Sequence, residues 1–188
     1  MNVYLVRHTA VAVPAGTCYG RSDVPLADTF AEEVTALKLK LPASFAAVYS
    51  SPLGRCTQFA HQFTPSPKLD HRLQEYDFGD WEMMAWENIR GEEADRWFAD
   101  YVHAPPPNGE SYLNLQERVI SFWHDLSATA QQGDEPHLII THAGPIRALL
   151  AHLLQAPLAT SFNLTINYGA VTLLQVNQTH TQIRYINR

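Results

Sequence analysis

The sequence predicts an α/β fold, a three-layer α/β/α sandwich built on a mostly parallel, mixed sheet. Short apolar runs rich in β-branched residues alternate with segments of helical periodicity along most of the chain. The last two apolar runs come close together and are expected to pair as a hairpin, which makes the sheet mixed. A length of 188 residues suits one domain, spanning residues 1–188, with a sizeable core.

The first strand and helix are predicted within the first 41 residues. Residues 3–6 are a short apolar run, β-branched at both ends, which is typical of a buried strand. Residues 28–41 have helical character, and Thr29 and Glu32 stand at the spacing of a capping box. This pair of elements is the first strand-helix unit of the expected sandwich.

A second strand-helix unit is predicted from residues 46–49 onward. The strand ends in Ser51 and Pro52, a pair that predicts the cap and the first-turn proline of a new helix. Apolar residues then recur at intervals of three and four, which indicates a helix face turned to the core: Cys56, Phe59, Ala60 and Phe63.

The second half of the chain supplies the remaining elements. Helical spacing of apolar residues predicts a helix over residues 111–131, and the HLIIT run at residues 137–141 predicts a third strand. An amphipathic helix with Pro145 near its start follows that strand. The hairpin is expected over residues 171–176 and 183–186, with its turn around Asn177 and Gln178.

The segment 81–112 differs from its surroundings and is predicted to be a small, partly helical insertion that acts as a lid. It is rich in aromatic and charged residues and contains a Pro-Pro-Pro-Asn-Gly stretch. An insertion of this length inside a compact domain usually has a function, often as a cover over a site. Its rings are candidates to stack on a flat substrate: Trp81, Trp86, Trp97, Phe98, Tyr101 and Tyr112.

Composition limits the possible partners and location. Apolar residues make up 46% and charged residues 17% of the chain, as in globular proteins, and the net charge of −6 argues against binding nucleic acid. We expect no membrane span and no signal peptide, because no long apolar run exists. Two cysteines outside any metal-ligand spacing, with no leader, favour a reduced, cytoplasmic protein.

Basic side chains follow three of the predicted strands. Arg7 and His8 come after the first strand, Arg55 lies in the first turn of the helix after the second, and His142 ends the HLIIT strand. In open α/β sheets, ligands bind beyond the carboxyl ends of the strands, and helix N-termini attract anions there. Two guanidinium groups and two imidazoles at one sheet edge predict an anion site, most simply for phosphate.

Four segments with these residues, in this order, resemble the histidine phosphatase superfamily, also called phosphoglycerate mutase-like. They are LVRHT at 5–9, SSPLGRC at 50–56, LQEYDFGDWE at 73–82 and THAG at 141–144. Together they are highly specific, and they extend the resemblance from residue 3 to about residue 175. The resemblance implies a metal-independent phosphatase without a cofactor.

The resemblance also implies a role for each matched residue. His8 is expected to become phosphorylated, Arg7, Arg55 and His142 to hold the phosphoryl oxygens, and Glu75 to protonate the leaving oxygen and then activate water. These roles fit the chemistry, because phosphoryl transfer depends mostly on positioning and on neutralising charge. Nearby arginines disfavour the imidazolium form and so leave a neutral nucleophile.

Further substrate contacts are expected around this site. Thr9 stands where the family usually has Gly, a departure that puts close backbone approach to the phosphate in doubt but that brings a hydroxyl group near it. The loop over residues 16–26 lies where the family has a substrate-side loop. The residues predicted to contact the substrate are Thr9, Tyr19, Gly20, Arg21, Ala143 and Gly144.

Within the superfamily, the CYGRSDVPL loop after an RHT start looks most like the alpha-ribazole phosphatase branch. That branch removes the 5′-phosphate of a benzimidazole ribonucleotide during assembly of the cobalamin nucleotide loop. The alternative is a broad-specificity phosphatase for small phosphorylated metabolites, while a phosphoglycerate mutase is disfavoured by the short chain. A phosphate-binding module without turnover is disfavoured because binding needs neither His8 nor Glu75. The sequence does not decide whether the protein forms a homodimer.

Overall fold

A computed structural model of the protein describes residues 1–129, 135–177 and 179–188. The strands are β1 (Asn2–Arg7), β2 (Ala47–Ser50), β3 (Lys68–Leu69), β4 (His137–Thr141), β5 (Val171–Val176) and β6 (Thr181–Tyr185). The helices are α1 (Phe30–Lys38), α2 (Gly54–Ala60), α3 (Glu92–Ala99), α4 (Tyr112–Ser127) and α5 (Ala143–Leu153), with short 3-10 turns between some of them. None of the described helices is long and apolar enough to cross a membrane.

The described strands form one sheet in the order β3-β2-β4-β1-β5-β6. β1, β2, β3 and β4 pair in parallel, whereas β5 runs antiparallel to β1 and to β6. The predicted mostly parallel, mixed sheet is therefore confirmed. β3 was not predicted, because two exposed residues are too short a run to show a period.

Helices cover both faces of this sheet, which confirms the three-layer sandwich. On one face, α4 and α5 pack against β1 and β4 through a core that includes Leu5, Leu115 and Ile139. On the other face, α1 and α2 pack against β2 and β4 through a core that includes Phe59 and Ile140. Since β-branched and Leu side chains alternate to the two faces, each central strand contributes to both cores.

Two predicted helix caps are wrong. Thr29 precedes α1 without capping a backbone N–H, because its hydroxyl donates to the side chain of Glu33 instead. Ser51 does not begin a helix either, since α2 starts at Gly54, whose N–H donates to the carboxylate of Asp23 at 2.9 Å. A residue 31 positions away thus takes the place of the expected local cap.

The later elements agree with the sequence more closely. α4 begins with a true capping box, in which Ser111 and Asn114 bond reciprocally. The predicted end of that helix at Gln131 and the hairpin residue Gln178 lie outside the described residues. β5 and β6 form the expected antiparallel hairpin.

Residues 81–112 contain α3 and a 3-10 turn at Trp86–Asn88, which confirms the partly helical character predicted there. Trp81 and Trp97 form a small apolar cluster with buried Cys18, Ile89 and Ala94. Both cysteines are buried and free. The insertion thus packs with Cys18 in a small cluster beside the sheet.

Candidate active site

The strand register brings three separate segments to one edge of the sheet. Arg7 pairs with Thr141, so the residues that follow them, His8 and His142, leave the sheet side by side. The N–H of His8 donates to the carbonyl of Thr141 at 3.0 Å, and the N–H of Ser51 donates to the carbonyl of Ile140 at 2.9 Å. The rings of His8 and His142 lie 5.1 Å apart between centroids.

His8 is buried, and its contacts define its tautomer. Nδ1 lies 2.7 Å from the carbonyl oxygen of Thr9, which can only accept, so Nδ1 carries the hydrogen. Nε2 accepts from Nε of Arg55 at 3.3 Å and therefore carries a lone pair and no hydrogen. Burial lowers the pKa of His8 well below its usual value, and the charges of Arg55 and Arg7 lower it further. The site thus holds a neutral imidazole with a nucleophilic Nε2.

Arg55 is fully buried and is aimed by a loop. Its two terminal nitrogens donate to the carbonyls of Gly20 at 2.7 Å and Ser22 at 2.8 Å. That loop is held by the carboxylate of Glu82, which accepts from the backbone N–H and the hydroxyl of Ser22 and from the N–H of Arg21. The guanidinium orientation therefore depends on a carboxylate that does not touch it.

Arg7 lies close enough to His8 for its charge to lower the pKa of that imidazole. Its guanidinium carbon lies 3.7 Å from the ring centroid of Tyr168, and Nη1 donates to the carbonyl of Ile166 at 2.7 Å. The hydroxyl of Tyr168 in turn bonds that of Tyr19. Stacking and one carbonyl contact fix the plane of this cation.

His142 is fully buried beside His8. Its Nε2 lies 2.8 Å from the hydroxyl of Ser51 and 3.5 Å from the sulfur of Cys56. Burial and the charge of Arg55 lower the pKa of His142 well below its usual value. Ser51, predicted as a helix cap, thus orients an imidazole instead.

Glu75 is oriented by backbone groups from two elements. One carboxyl oxygen accepts from the N–H of Tyr76 at 2.9 Å, and the other from the N–H of Gly144 at 3.3 Å, in the first turn of α5. A Cβ atom at position 144 would meet Oε1 of Glu75 at 2.2 Å, so this approach requires glycine. His142 thus lies directly before α5, and the first turn of α5 holds Glu75.

The balance of charge at this edge is positive. Arg7 and Arg55 have no carboxylate within ion-pair distance among residues 1–129, 135–177 and 179–188. Desolvated guanidinium groups without a counter-ion favour an anionic ligand. The arrangement can therefore bind a phosphoryl group against a neutral imidazole.

A cavity of about 240 Å³ opens beside these residues. Arg7, Glu75, Ala143 and Gly144 line one part of it, while the buried His8, Arg55 and His142 are not among its lining residues. The other walls are mostly aromatic: Tyr19, Tyr76, Phe78, Trp86, Trp97, Tyr101, Tyr112 and Phe162. Of the six rings singled out in the sequence, Trp81 and Phe98 do not line the cavity.

The other predicted substrate contacts fall in different places. Tyr19 lines the cavity, and Gly20 contributes its carbonyl to Arg55. Thr9 is buried, and its hydroxyl has no hydrogen-bond partner in the described part of the chain. Arg21 does not line the cavity, because ion pairs with Asp77 at 3.0 Å and Glu110 at 3.1 Å hold its guanidinium elsewhere. The role of Arg21 as a substrate contact stays a prediction.

Several supporting residues were missed by sequence reasoning. Glu82 and Ser51 were inside quoted motifs, but nothing local shows that they act on Arg55 and His142. Arg118 on α4 donates to the carbonyls of Gln74 at 2.7 Å and Glu75 at 2.9 Å and pairs with Glu110. Apart from the pair of Arg118 with Glu110, these contacts join residues more than 30 positions apart, so periodicity and capping rules do not find them. Groups of His, Cys, Asp and Glu suited to a metal ion are absent from the described residues.

Comparisons with known proteins agree with this geometry. The adenosylcobalamin/alpha-ribazole phosphatase of Escherichia coli (strain K12) is 28% identical over 196 residues, covering 100% of this chain and 96% of that protein. The alpha-ribazole phosphatase structure from Shigella flexneri superposes with a TM-score of 0.87 at 28% identity, covering 100% and 96% of the two chains. A glucosyl-3-phosphoglycerate phosphatase from Mycolicibacterium vanbaalenii is 27% identical over 169 residues, covering 83% of this chain and 75% of that protein.

A family model supplies the assignment. The model described as histidine phosphatase superfamily (branch 1) matches residues 3–188, nearly the whole chain. This match agrees with the four segments that carried the resemblance and with the mixed sheet that brings them together. The chain therefore belongs to branch 1 of the histidine phosphatase superfamily.

Proposed function

We propose that this phosphatase hydrolyses its substrate through a phosphohistidine formed on His8. The observation that carries the proposal is the neutral imidazole of His8, with a lone pair on Nε2, close to two guanidinium groups that lack carboxylate partners in the described structure. A phosphomonoester dianion would supply the missing negative charge. Arg7, Arg55 and His142 would then bind its oxygens as the expected clamp.

In the first step, Nε2 of His8 attacks phosphorus and the ester P–O bond breaks. The imidazole gains positive charge as the N–P bond forms, and the carbonyl of Thr9, 2.7 Å from Nδ1, stabilises that charge. Glu75 gives a proton to the departing oxygen, which leaves as an alcohol. Fixed guanidinium groups neutralise charge on the equatorial oxygens.

In the second step, water replaces the alcohol. Glu75, now a carboxylate, takes a proton from the water as it attacks phosphorus. The N–P bond breaks, and the electron pair returns to Nε2, so His8 is neutral again and inorganic phosphate is released. No metal or other cofactor takes part in this sequence.

We propose alpha-ribazole 5′-phosphate as the substrate, as the resemblance of the loop at residues 16–26 implies. A cavity of about 240 Å³ suits a small leaving group and not a protein. Its aromatic walls suit a flat base such as a benzimidazole. Two of the relatives compared above bear the name of this substrate.

We propose further that residues 1–188 form one domain in which residues 81–112 act as a lid. Trp86, Trp97 and Tyr101 of this segment line the cavity. Their cluster includes Cys18, which exchanges backbone hydrogen bonds with Met83 and Met84, so a motion of the lid would carry Cys18 with it. A closed lid would exclude bulk water while the phosphohistidine forms.

A substrate panel tests the proposal. We expect kcat/KM for alpha-ribazole 5′-phosphate to exceed that for 3-phosphoglycerate, sugar phosphates and other nucleotides by about 100-fold or more, with excess EDTA present throughout. Similar kcat/KM values for all these substrates would instead identify a broad-specificity phosphatase. Loss of p-nitrophenyl phosphate hydrolysis in EDTA would contradict the metal-free mechanism.

A further inference from the structure

One cation on the cavity wall has no part in the steps above. Arg147 lies on α5, three residues after Gly144, and lines the same cavity as Glu75. Its Nε donates to the carbonyl of Leu164 at 2.8 Å, and its guanidinium carbon lies 5.4 Å from the ring centroid of Phe162. One side of the guanidinium group is thus anchored, which leaves its terminal nitrogens for another partner.

No carboxylate in the described part of the chain lies within ion-pair distance of Arg147. Burial lowers the pKa of this guanidinium, so the cation is partly desolvated. A partly desolvated charge without a counter-ion is costly unless a bound molecule supplies acceptors. This cost points to a ligand.

The position of Arg147 indicates which part of a substrate it meets. A three-residue step along a helix advances about 5 Å and returns to the same face. Gly144 holds the proton donor Glu75, so Arg147 lies about one turn beyond the leaving oxygen. The other charged residues that line the cavity, Arg7 and Glu75, serve the phosphate and the leaving oxygen.

We propose that Arg147 determines specificity by binding the vicinal hydroxyls of a sugar ring in the leaving group. This inference rests on the proposed function and deepens it. A guanidinium fork can donate to two neighbouring oxygens at once, as two adjacent hydroxyls require. The flat base attached to the sugar would then lie among the aromatic walls.

The position of Glu75 indicates that Arg147 binds neutral hydroxyls of the leaving group and not a carboxylate. It lines the same cavity and lies close enough for its charge to act on Arg147. Once it has protonated the leaving oxygen, Glu75 is an anion and would repel a carboxylate on the departing alcohol. Sugar hydroxyls avoid this repulsion.

The test compares Arg147→Gln and Arg147→Lys on substrates with and without the diol. The substrates are alpha-ribazole 5′-phosphate, its 2′,3′-dideoxy analogue and p-nitrophenyl phosphate. We expect both variants to lose about 10- to 100-fold in kcat/KM on the diol substrate and to stay within about threefold on the other two. Lysine keeps the charge but not the fork, so it should not rescue the rate.

Arg96→Gln on α3 is the matched control, since it removes the same charge from an exposed side chain that does not line this cavity. An equal loss on all three substrates would overturn the proposal. It would mean that Arg147 positions Glu75 or stabilises the fold. Unchanged rates on all three would also overturn it. Phosphoserine is measured as a fourth substrate, and a selective loss on it would overturn the proposal by identifying a carboxylate site. Rescue by lysine would contradict recognition through the fork.

Failure of this inference is distinguishable from failure of the proposed function. Absence of phosphohistidine, or of p-nitrophenyl phosphate turnover, in the wild-type protein would refute the proposed function. The comparison of substrates with and without the diol is repeated with adenosine 5′-monophosphate and its 2′,3′-dideoxy form. Because these carry a different base, the test of the diol site does not depend on the benzimidazole. A diol effect that vanishes in Arg147→Gln with either pair supports the subsite even if the benzimidazole base is not preferred.

Discussion

The Nδ1 atom of His8 lies 2.7 Å from the backbone carbonyl of Thr9, and this contact leaves Nε2 as the ring nitrogen able to react. The contact uses the main chain, so a threonine in place of the usual glycine removes nothing from it. Side-chain replacements at residue 9 should therefore preserve the tautomer, provided that the backbone keeps its path.

Replacement of the nucleophile gives the first prediction. His8→Ala should lower turnover of p-nitrophenyl phosphate by about 10⁴-fold or more, because no other group forms the intermediate. After rapid quench, wild-type protein should carry an acid-labile, base-stable label that the variant lacks. His61→Ala, at an exposed position just after α2, is the control and should retain full activity. Substantial residual activity of His8→Ala in a folded protein would refute the assigned nucleophile.

Stability against pH gives the second prediction. The pKa values of His8 and His142 are lowered in the folded state, so the unfolded chain binds more protons just below pH 6.5. The contribution of the two neutral histidines to the free energy of unfolding is complete above pH 6.5. It is lost as the pH falls toward their pKa values in the folded state. The free energy of unfolding should decrease by up to about 1.4 kcal/mol per pH unit for each histidine. Urea titrations at several pH values measure this slope.

His8→Asn is the matched variant for this measurement. Its side-chain amide cannot titrate, so the slope below pH 6.5 should become smaller. An unchanged slope would mean that His8 does not remain neutral in the folded protein.

The fork of Arg55 gives the third prediction. Arg55→Lys keeps the charge but loses the contacts to Gly20 and Ser22 that aim it, and one amine replaces three donor nitrogens. We expect kcat to fall by about 100-fold, with weaker inhibition by inorganic phosphate. Arg90→Lys at an exposed position is the control. Full activity in Arg55→Lys would show that charge alone suffices.

The contact between Gly144 and Glu75 gives the fourth prediction. Gly144→Ala places a methyl group where a carboxyl oxygen of Glu75 now lies, so the proton donor must move. Hydrolysis of an alkyl phosphate should fall by about 100-fold, as expected for loss of a general acid. p-Nitrophenyl phosphate should suffer much less, since its leaving group departs without a proton.

Glu75→Gln should reproduce the same contrast between the two leaving groups. If both substrates slow equally in Gly144→Ala, the methyl group disturbs phosphate binding and not proton transfer.

Local pattern rules predicted the elements of this fold well and its side-chain contacts poorly. The strand at residues 137–141 and the core face of α2 follow from periodicity, because burial acts on every residue of an element. Ser51 failed as a predicted cap because its hydroxyl lies beside His142, which the linear sequence places 91 residues away. Arg21 stays a predicted substrate contact; it pairs with Asp77 and Glu110, and no local signal shows that pairing.

Part of the cavity wall comes from a different part of the chain than the residues that would bind the phosphoryl group. His8, Arg55 and His142 follow strands of the sheet, whereas Trp86, Trp97 and Tyr101 belong to a segment that packs with Cys18 in a small separate cluster. Changes confined to these three rings need not disturb the reacting groups, whereas Glu82 of the same segment holds the loop that orients Arg55. Exchanging these rings between relatives while Glu82 is kept should therefore redirect which alcohol is released and leave the chemistry at the sheet unchanged.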